Sequence, residues 1–140
     1  MYEALLNLFP KELRREIAAA LGKRTEEIRC RIGRPVTVVT EGNSQPLSTI
    51  NLTAEHLDYL FERATNASVH VYAKEIQNGY LYTASGYRIG LCGTVYYHGQ
   101  DIAGIRNFTS VNVRIPHELP GCADCLWPNM IQNSYQSTLI

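Results

Sequence analysis

Apolar residues recur at helical spacing over residues 2–22: Leu5, Leu8 and Phe9, then Leu13, Ile17 and Leu21. A stripe repeating every three to four residues predicts two short amphipathic helices. Pro10 fits the first turn of the second helix, where its missing N–H costs little, and Gly22 is expected to end it. The period then changes to two. Within Glu26–Pro35, Ile28, Cys30 and Ile32 alternate with Glu27, Arg29 and Arg31, as in a half-buried strand. Gly33-Arg34-Pro35 turns the chain, Val36–Thr40 resumes an extended run, and Glu41-Gly42-Asn43 turns it again. Leu47–Ile50 is expected as a short third strand. Thr53 caps a helix over about 54–66 that turns Leu57, Leu60 and Phe61 inward, and a shorter helix covers about 70–78 up to Gly79.

The next stretch is strand-rich. Tyr80–Ala84 and Tyr87–Tyr97 flank Ser85-Gly86 as a hairpin with a two-residue turn. His98–Asp101 turns into Ile102–Phe108, and Thr109-Ser110 leads to Val111–Ile115, closed by Pro116. Ile89, Leu91, Val95 and Tyr97 are expected on one face, with Arg88 and Thr94 on the other. Val111, Val113 and Ile115 likewise oppose Asn112 and Arg114. This predicts an antiparallel meander with one face on the helices and one face free. The fold class is α+β: N-terminal helices over 1–24, then a mostly antiparallel sheet domain over 25–116. Residues 117–136 are expected as a linker helix broken near Pro128. Ser137–Ile140 reads as the start of a buried strand, so the chain is expected to be cut at the threshold of a further domain.

The 140 residues are enough for one core, and the apolar (45%) and charged (19%) fractions are those of an ordinary globular protein. Formal net charge is zero, which removes any global electrostatic case for nucleic acid or an anionic membrane. No stretch reaches the roughly 18–20 apolar residues of a membrane helix, and no secretory leader is visible. Four cysteines do not make a disulfide framework in a chain this long, so the expected setting is cytosolic. The three Asn-x-Ser/Thr sequons then carry no meaning.

The arginines offer the most chemistry. Arg88 and Arg114 sit mid-strand, opposite the aliphatic stripe. Arg106 lies between them in sequence, and Arg29, Arg31 and Arg34 crowd one strand and turn. A guanidinium meets a phosphate with two parallel hydrogen bonds and keeps its charge at any working pH. The same residues also fit a solvated face paired with Glu26, Glu27, Asp101 and Glu118, since most surface charges do nothing more. Gly86, Gly90 and Gly93 lie inside a hairpin, so they mark a bulge or close backbone approach and not a dinucleotide loop. Cys122-Ala123-Asp124-Cys125 lacks the further ligands of a zinc site, with only His117 nearby, and lacks a thioredoxin-like setting. No metal site is expected. No catalytic triad, HExxH motif or GxxxxGK[S/T] phosphate loop is present, so this chain is expected to be non-catalytic.

Five stretches in order, EEIRCRIGRP (26–35), VYAKEIQNGYLY (71–82), GYRIGLCG (86–93), IAGIRNFTSVNVRIP (102–116) and GCADCLWPNMI (121–131), resemble the N-terminal region of the stage III sporulation protein AA family. These are cytosolic ATPases similar to the hexameric motors of type II and type IV secretion. Members tend to carry Gly-Gly-His-Arg at the hairpin tip, where this chain has Ser85-Gly86-Tyr87-Arg88. The histidine therefore has no counterpart, while Arg88 still aligns.

The resemblance implies a PAS-like regulatory and assembly domain that precedes a RecA-like ATPase domain and presents arginines to the nucleotide held there. Arg114 matches the expected position, with Arg88 and Arg106 as secondary candidates and Arg29, Arg31 and Arg34 as interface residues. It also implies ATP and Mg²⁺ in the full-length protein, a homo-hexamer, components of a mother cell–forespore channel as partners, and a cytoplasmic, peripheral location. Two other readings stand beside it. One is a nucleic-acid-binding sheet using Tyr80, Tyr82 and Tyr87 among the arginines, against which the zero net charge argues. The other is an oligomerisation module with its arginines in inter-subunit ion pairs.

Overall fold

The computed structural model describes residues 2–47, 49–126 and 128. Strands β1 (Thr25–Arg31), β2 (Thr37–Thr40) and β3 (Asn43–Pro46) form one meander, and β4 (Tyr80–Tyr82), β5 (Arg88–His98) and β6 (Asp101–Arg114) form another. Pairing of β1 with β6 joins them into a six-stranded sheet of order β3-β2-β1-β6-β5-β4, with every neighbouring pair antiparallel. Helices α1 (Glu3–Leu6) and α2 (Lys11–Ala20) precede the sheet. Helix α3 (Ala54–Ala64), a 3-10 turn (Val69–Tyr72) and α4 (Ala73–Gln77) connect its halves.

Alternation along the strands sends one set of side chains to the helices. Val38, Ile28, Val113, Ile89 and Leu81 lie in register across five strands, and all are buried. Leu5, Leu8, Phe9, Leu13 and Ile17 from α1 and α2, and Leu57 and Leu60 from α3, pack onto them in one cluster. Phe61 meets Phe108 of β6 with ring centroids 4.6 Å apart. Each fully buried aliphatic side chain contributes roughly 1.5–3 kcal/mol, so this layer carries the stability of the domain. Thr53 caps α3, and its backbone N–H donates to His56 Nδ1 at 3.0 Å.

Several local expectations shift. Pro10 is the residue before α2, not part of its first turn, whereas Gly22 does follow the helix end, directly after the Leu21 cap. The third strand is Asn43–Pro46, not Leu47–Ile50. Glu41 and Gly42 both take positive φ (50° and 75°), the two-residue hairpin turn that sends the chain straight back along β2. Leu47 N–H then closes the pairing on Val36 O at 2.9 Å. The β4–β5 connection spans residues 83–87. Gly86 N–H bonds Thr83 O, Gly86 has φ +84°, and Thr83 N–H bonds Tyr87 O. This is a tight turn followed by a left-handed glycine, longer than two residues.

Thr109-Ser110 does not interrupt β6, which runs unbroken from Asp101 to Arg114. The irregularity lies earlier: one residue of β5 (Gly93) stands against three of β6 (107–109), with Asn107 at φ +50°. A Cβ on Gly93 would sit 2.7 Å from Arg106 O, so only glycine fits. Beyond this bulge, Thr94–His98 and Asp101–Arg106 pair only with each other and project as a two-stranded ribbon. Val95 and Tyr97 are therefore exposed and do not continue the core stripe of Ile89 and Leu91. Residues 120–126 form successive turns closed by bonds such as Cys122 N–H to Leu119 O; Pro128 is helical, and the rest of the expected linker helix lies outside the described residues. The expected strand Ser137–Ile140 lies outside the described residues.

Candidate functional site

The outer sheet face is built from the residues that alternate with the core. One row across the strands reads Val39, Glu27, Arg114, Arg88, Tyr82, and the next reads Thr37, Arg29, Asn112, Gly90, Tyr80. Arg88 and Arg114 are thus direct cross-strand partners, although 26 positions separate them in sequence. Like charges directly opposite destabilise a sheet, so this pairing needs a reason outside packing.

Glu26 and Glu27 line the same hollows as the pair, but neither makes an ion pair with Arg88 or Arg114. Among the described residues the ion pairs are Arg24–Glu41, Arg29–Glu27 and His56–Glu12. Glu27, the carboxylate next to Arg114, is held by Arg29 Nε at 3.1 Å. Arg88 stacks over the Tyr80 ring, 4.7 Å from its centroid, which orients the guanidinium and leaves its N–H edges open. Tyr82 lies edge-on to Tyr80 at 5.8 Å. The Arg114 side chain is exposed and has no hydrogen-bond partner among the described residues.

Gly90 keeps the floor bare between Tyr80 and Asn112. A cavity of about 280 Å³ opens there, lined by Glu27, Asn78, Tyr80, Arg88, Asn112 and Arg114 among others. A second, of about 480 Å³, adjoins it toward Tyr82, Gly86 and Pro116 and again includes Arg88 and Arg114. Two converging guanidiniums above bare backbone are a setting for phosphate or carboxylate oxygens. Of the arginines singled out in the sequence, Arg88 and Arg114 come together. Arg29, Arg31 and Arg34 line a separate concavity on the same face. Arg106 lies elsewhere, opposite Thr94 on the ribbon and 5.6 Å from the Tyr96 ring centroid. Eight residues of strand put it roughly 25 Å from Arg114. Gly90 and Asn112 were not foreseen as site residues; the only signal was that glycine inside a strand marks close approach.

The family model described as sporulation stage III, protein AA matches residues 2–140. The chain belongs to the sporulation stage III protein AA family. It is 36% identical over 115 residues to the stage III sporulation protein AA of Bacillus subtilis (strain 168), covering 82% of this chain and 37% of the relative. The chain thus spans little more than a third of that curated relative's length. Its fold is similar to the X-ray structure of the Legionella pneumophila ATPase DotB, with a TM-score of 0.51 and 14% identity over 89% of this chain and 33% of DotB. The VirB11 ATPase of the Brucella suis type IV secretion system superposes over 96% of this chain and 38% of VirB11, with a TM-score of 0.46 and 17% identity.

Other chemistry in this stage III AA family member is muted. No group of three or more metal-ligating side chains occurs among the described residues. Cys92, Cys122 and Cys125 are exposed free thiols, whereas Cys30 is buried and burial pushes its thiol up to about 12. Among the described residues, no helix is long and apolar enough to cross a membrane.

Proposed function

We propose that this chain is the non-catalytic regulatory and assembly domain of a secretion-type sporulation ATPase. In this reading it lays Arg114 and Arg88 against the phosphates of ATP held by a RecA-like domain outside the chain. The carrying observation is the cross-strand pairing of these two arginines, neither of which is ion-paired among the described residues. The residues present fit phosphate oxygens: two guanidiniums, one pre-oriented by Tyr80, at the mouth of a cavity with a backbone floor. Mg²⁺ would be held by the ATPase domain. When bound, the nucleotide supplies the transferred phosphoryl group, and the arginines neutralise charge developing on its oxygens. The same contact ties the position of this domain to the nucleotide state, which a motor energising a mother cell–forespore channel needs. Arg106 on its ribbon has no part in this contact. Assembly as a homo-hexamer belongs to the same proposal.

The test is Arg114→Ala in the full-length protein. ATP turnover is expected to fall by roughly 10³–10⁵-fold while light scattering shows the assembly retained. Turnover at the wild-type rate overturns the arginine role. The nucleic-acid reading is weaker on the same geometry. Tyr82 is exposed on the arginine face, but Tyr80 is already stacked beneath Arg88 and offers no free platform.

A further inference from the structure

A second basic concavity lies on the outer sheet face, toward the β3 edge. It has a volume of about 500 Å³, and its lining includes Arg29, Arg31, Arg34, Thr37, Ser44 and Asn112. Arg29 is accounted for: its Nε is 3.1 Å from Glu27 and its Nη1 is 3.4 Å from the Ser44 hydroxyl. Arg31 and Arg34 have neither an ion pair nor a side-chain hydrogen bond among the described residues. They are presented from a rigid base. Four backbone hydrogen bonds tie down the intervening turn: Ile32 N–H to Thr109 O, Gly33 N–H to Leu52 O, Arg34 N–H to Arg31 O, and Leu52 N–H to Arg34 O. Gly33, at φ +74°, makes the reversal possible. Little conformational freedom remains to be lost in the backbone when a ligand docks.

The neutral donors complete the chemistry. The Ser44 hydroxyl and the Asn112 amide line the same hollow as the guanidiniums, as does the Thr37 hydroxyl, whose present bond to Pro35 O is long at 3.5 Å. A charged fork supplemented by neutral donors suits the several oxygens of a phosphate group better than a single carboxylate. A merely solvated arginine face would have neither the concavity nor the pinned turn. We propose that Arg31 and Arg34, with Thr37 and Ser44, form a second phosphate-binding site for a phosphate ester or phosphoanhydride, beside the Arg88–Arg114 cavity and sharing only Asn112 with it. This does not rest on the ATPase reading, because none of its residues is Arg88 or Arg114.

The test is an amide NMR titration of the 140-residue chain with sodium tripolyphosphate at constant ionic strength. The amides of Arg31, Gly33, Arg34 and Ser44 are expected to shift together and saturate. Arg34→Gln should weaken that set at least tenfold while leaving shifts at Arg88 and Arg114 unchanged, and Arg114→Gln should do the reverse. The dispersion of the same spectra reports whether each variant is folded. Sedimentation with phosphatidylglycerol vesicles runs alongside. Binding to both probes makes the ligand a phosphate headgroup, and binding to tripolyphosphate alone makes it a soluble phosphate; either supports the site. Binding to neither, or a shift set that Arg34→Gln leaves intact, overturns it.

Discussion

On the inner face of the sheet, Ile28, Val113 and Ile89 sit side by side and fully buried. One residue along the same strands, the exposed Arg114 and Arg88 sit side by side, with the part-buried Glu27 next to Arg114. The inner row gains stability from each contact it makes. The outer row places two guanidiniums together, which elementary electrostatics disfavours, and leaves the nearest carboxylate occupied by Arg29. The same backbone therefore serves two demands. Its inward half fixes the register, and that register dictates which outward charges meet.

The largest effect expected from disturbing this arrangement lies inside. Ile28→Ala should cost roughly 2–5 kcal/mol in urea unfolding, since it opens a cavity where β1 packs between β2 and β6. A cost below about 0.5 kcal/mol would show that the inner row does not hold the sheet. Next comes the bulge. Gly93→Ala drives a methyl into two carbonyl oxygens, Arg106 O at 2.7 Å and Asn107 O at 3.0 Å. It should destabilise by about 1–3 kcal/mol and disturb ribbon amides before those of β1.

A pH effect of intermediate size belongs to Cys30. Its thiol keeps its proton in the folded state up to about 12, against an ordinary value of 9.0. Above about pH 9 the unfolded chain sheds a proton that the folded chain retains, so stability falls as pH rises toward 12. The slope approaches about 1 kcal/mol per pH unit and should vanish from the difference between pH 9 and 10.5 in Cys30→Ala. The smallest effect sits on the outer face. Arg114→Gln should stabilise the isolated chain by about 0.2–1 kcal/mol at low salt, with the gain shrinking as salt screens the repulsion. A loss of stability instead would mean that the pair is not repulsive, and the contrast between the faces would fail.

Much of this was legible in the chain. Val111, Val113 and Ile115 against Asn112 and Arg114 is a period of two that the structure reproduces residue for residue. The helix over 54–64 was visible from its Thr53 cap and from Leu57 and Leu60. What was not legible depends on partners far along the chain. That Arg88 faces Arg114 follows from the β5–β6 register, which the bulge at Gly93 resets, and the sequence showed only that Arg106 lies between them along the chain. Strand β3 went unseen because all four of its residues are polar or proline and exposed, so it carries no alternation. Val95 and Tyr97 looked like core because they keep the period of Ile89 and Leu91, but nothing covers the ribbon on which they ride. The sheet residues of the candidate site were thus half visible: the side-chain types were plain, and their neighbours were not.

Strand β3 has one further consequence. Leu47 points its N–H inward to Val36, so by alternation the outward-facing amides of this edge belong to Ser44 and residue 46. Residue 46 is proline and has none. An extended segment arriving from solvent would find a single donor there, too few to zip a seventh strand onto the row, and the sheet resists runaway stacking with its own kind on that side.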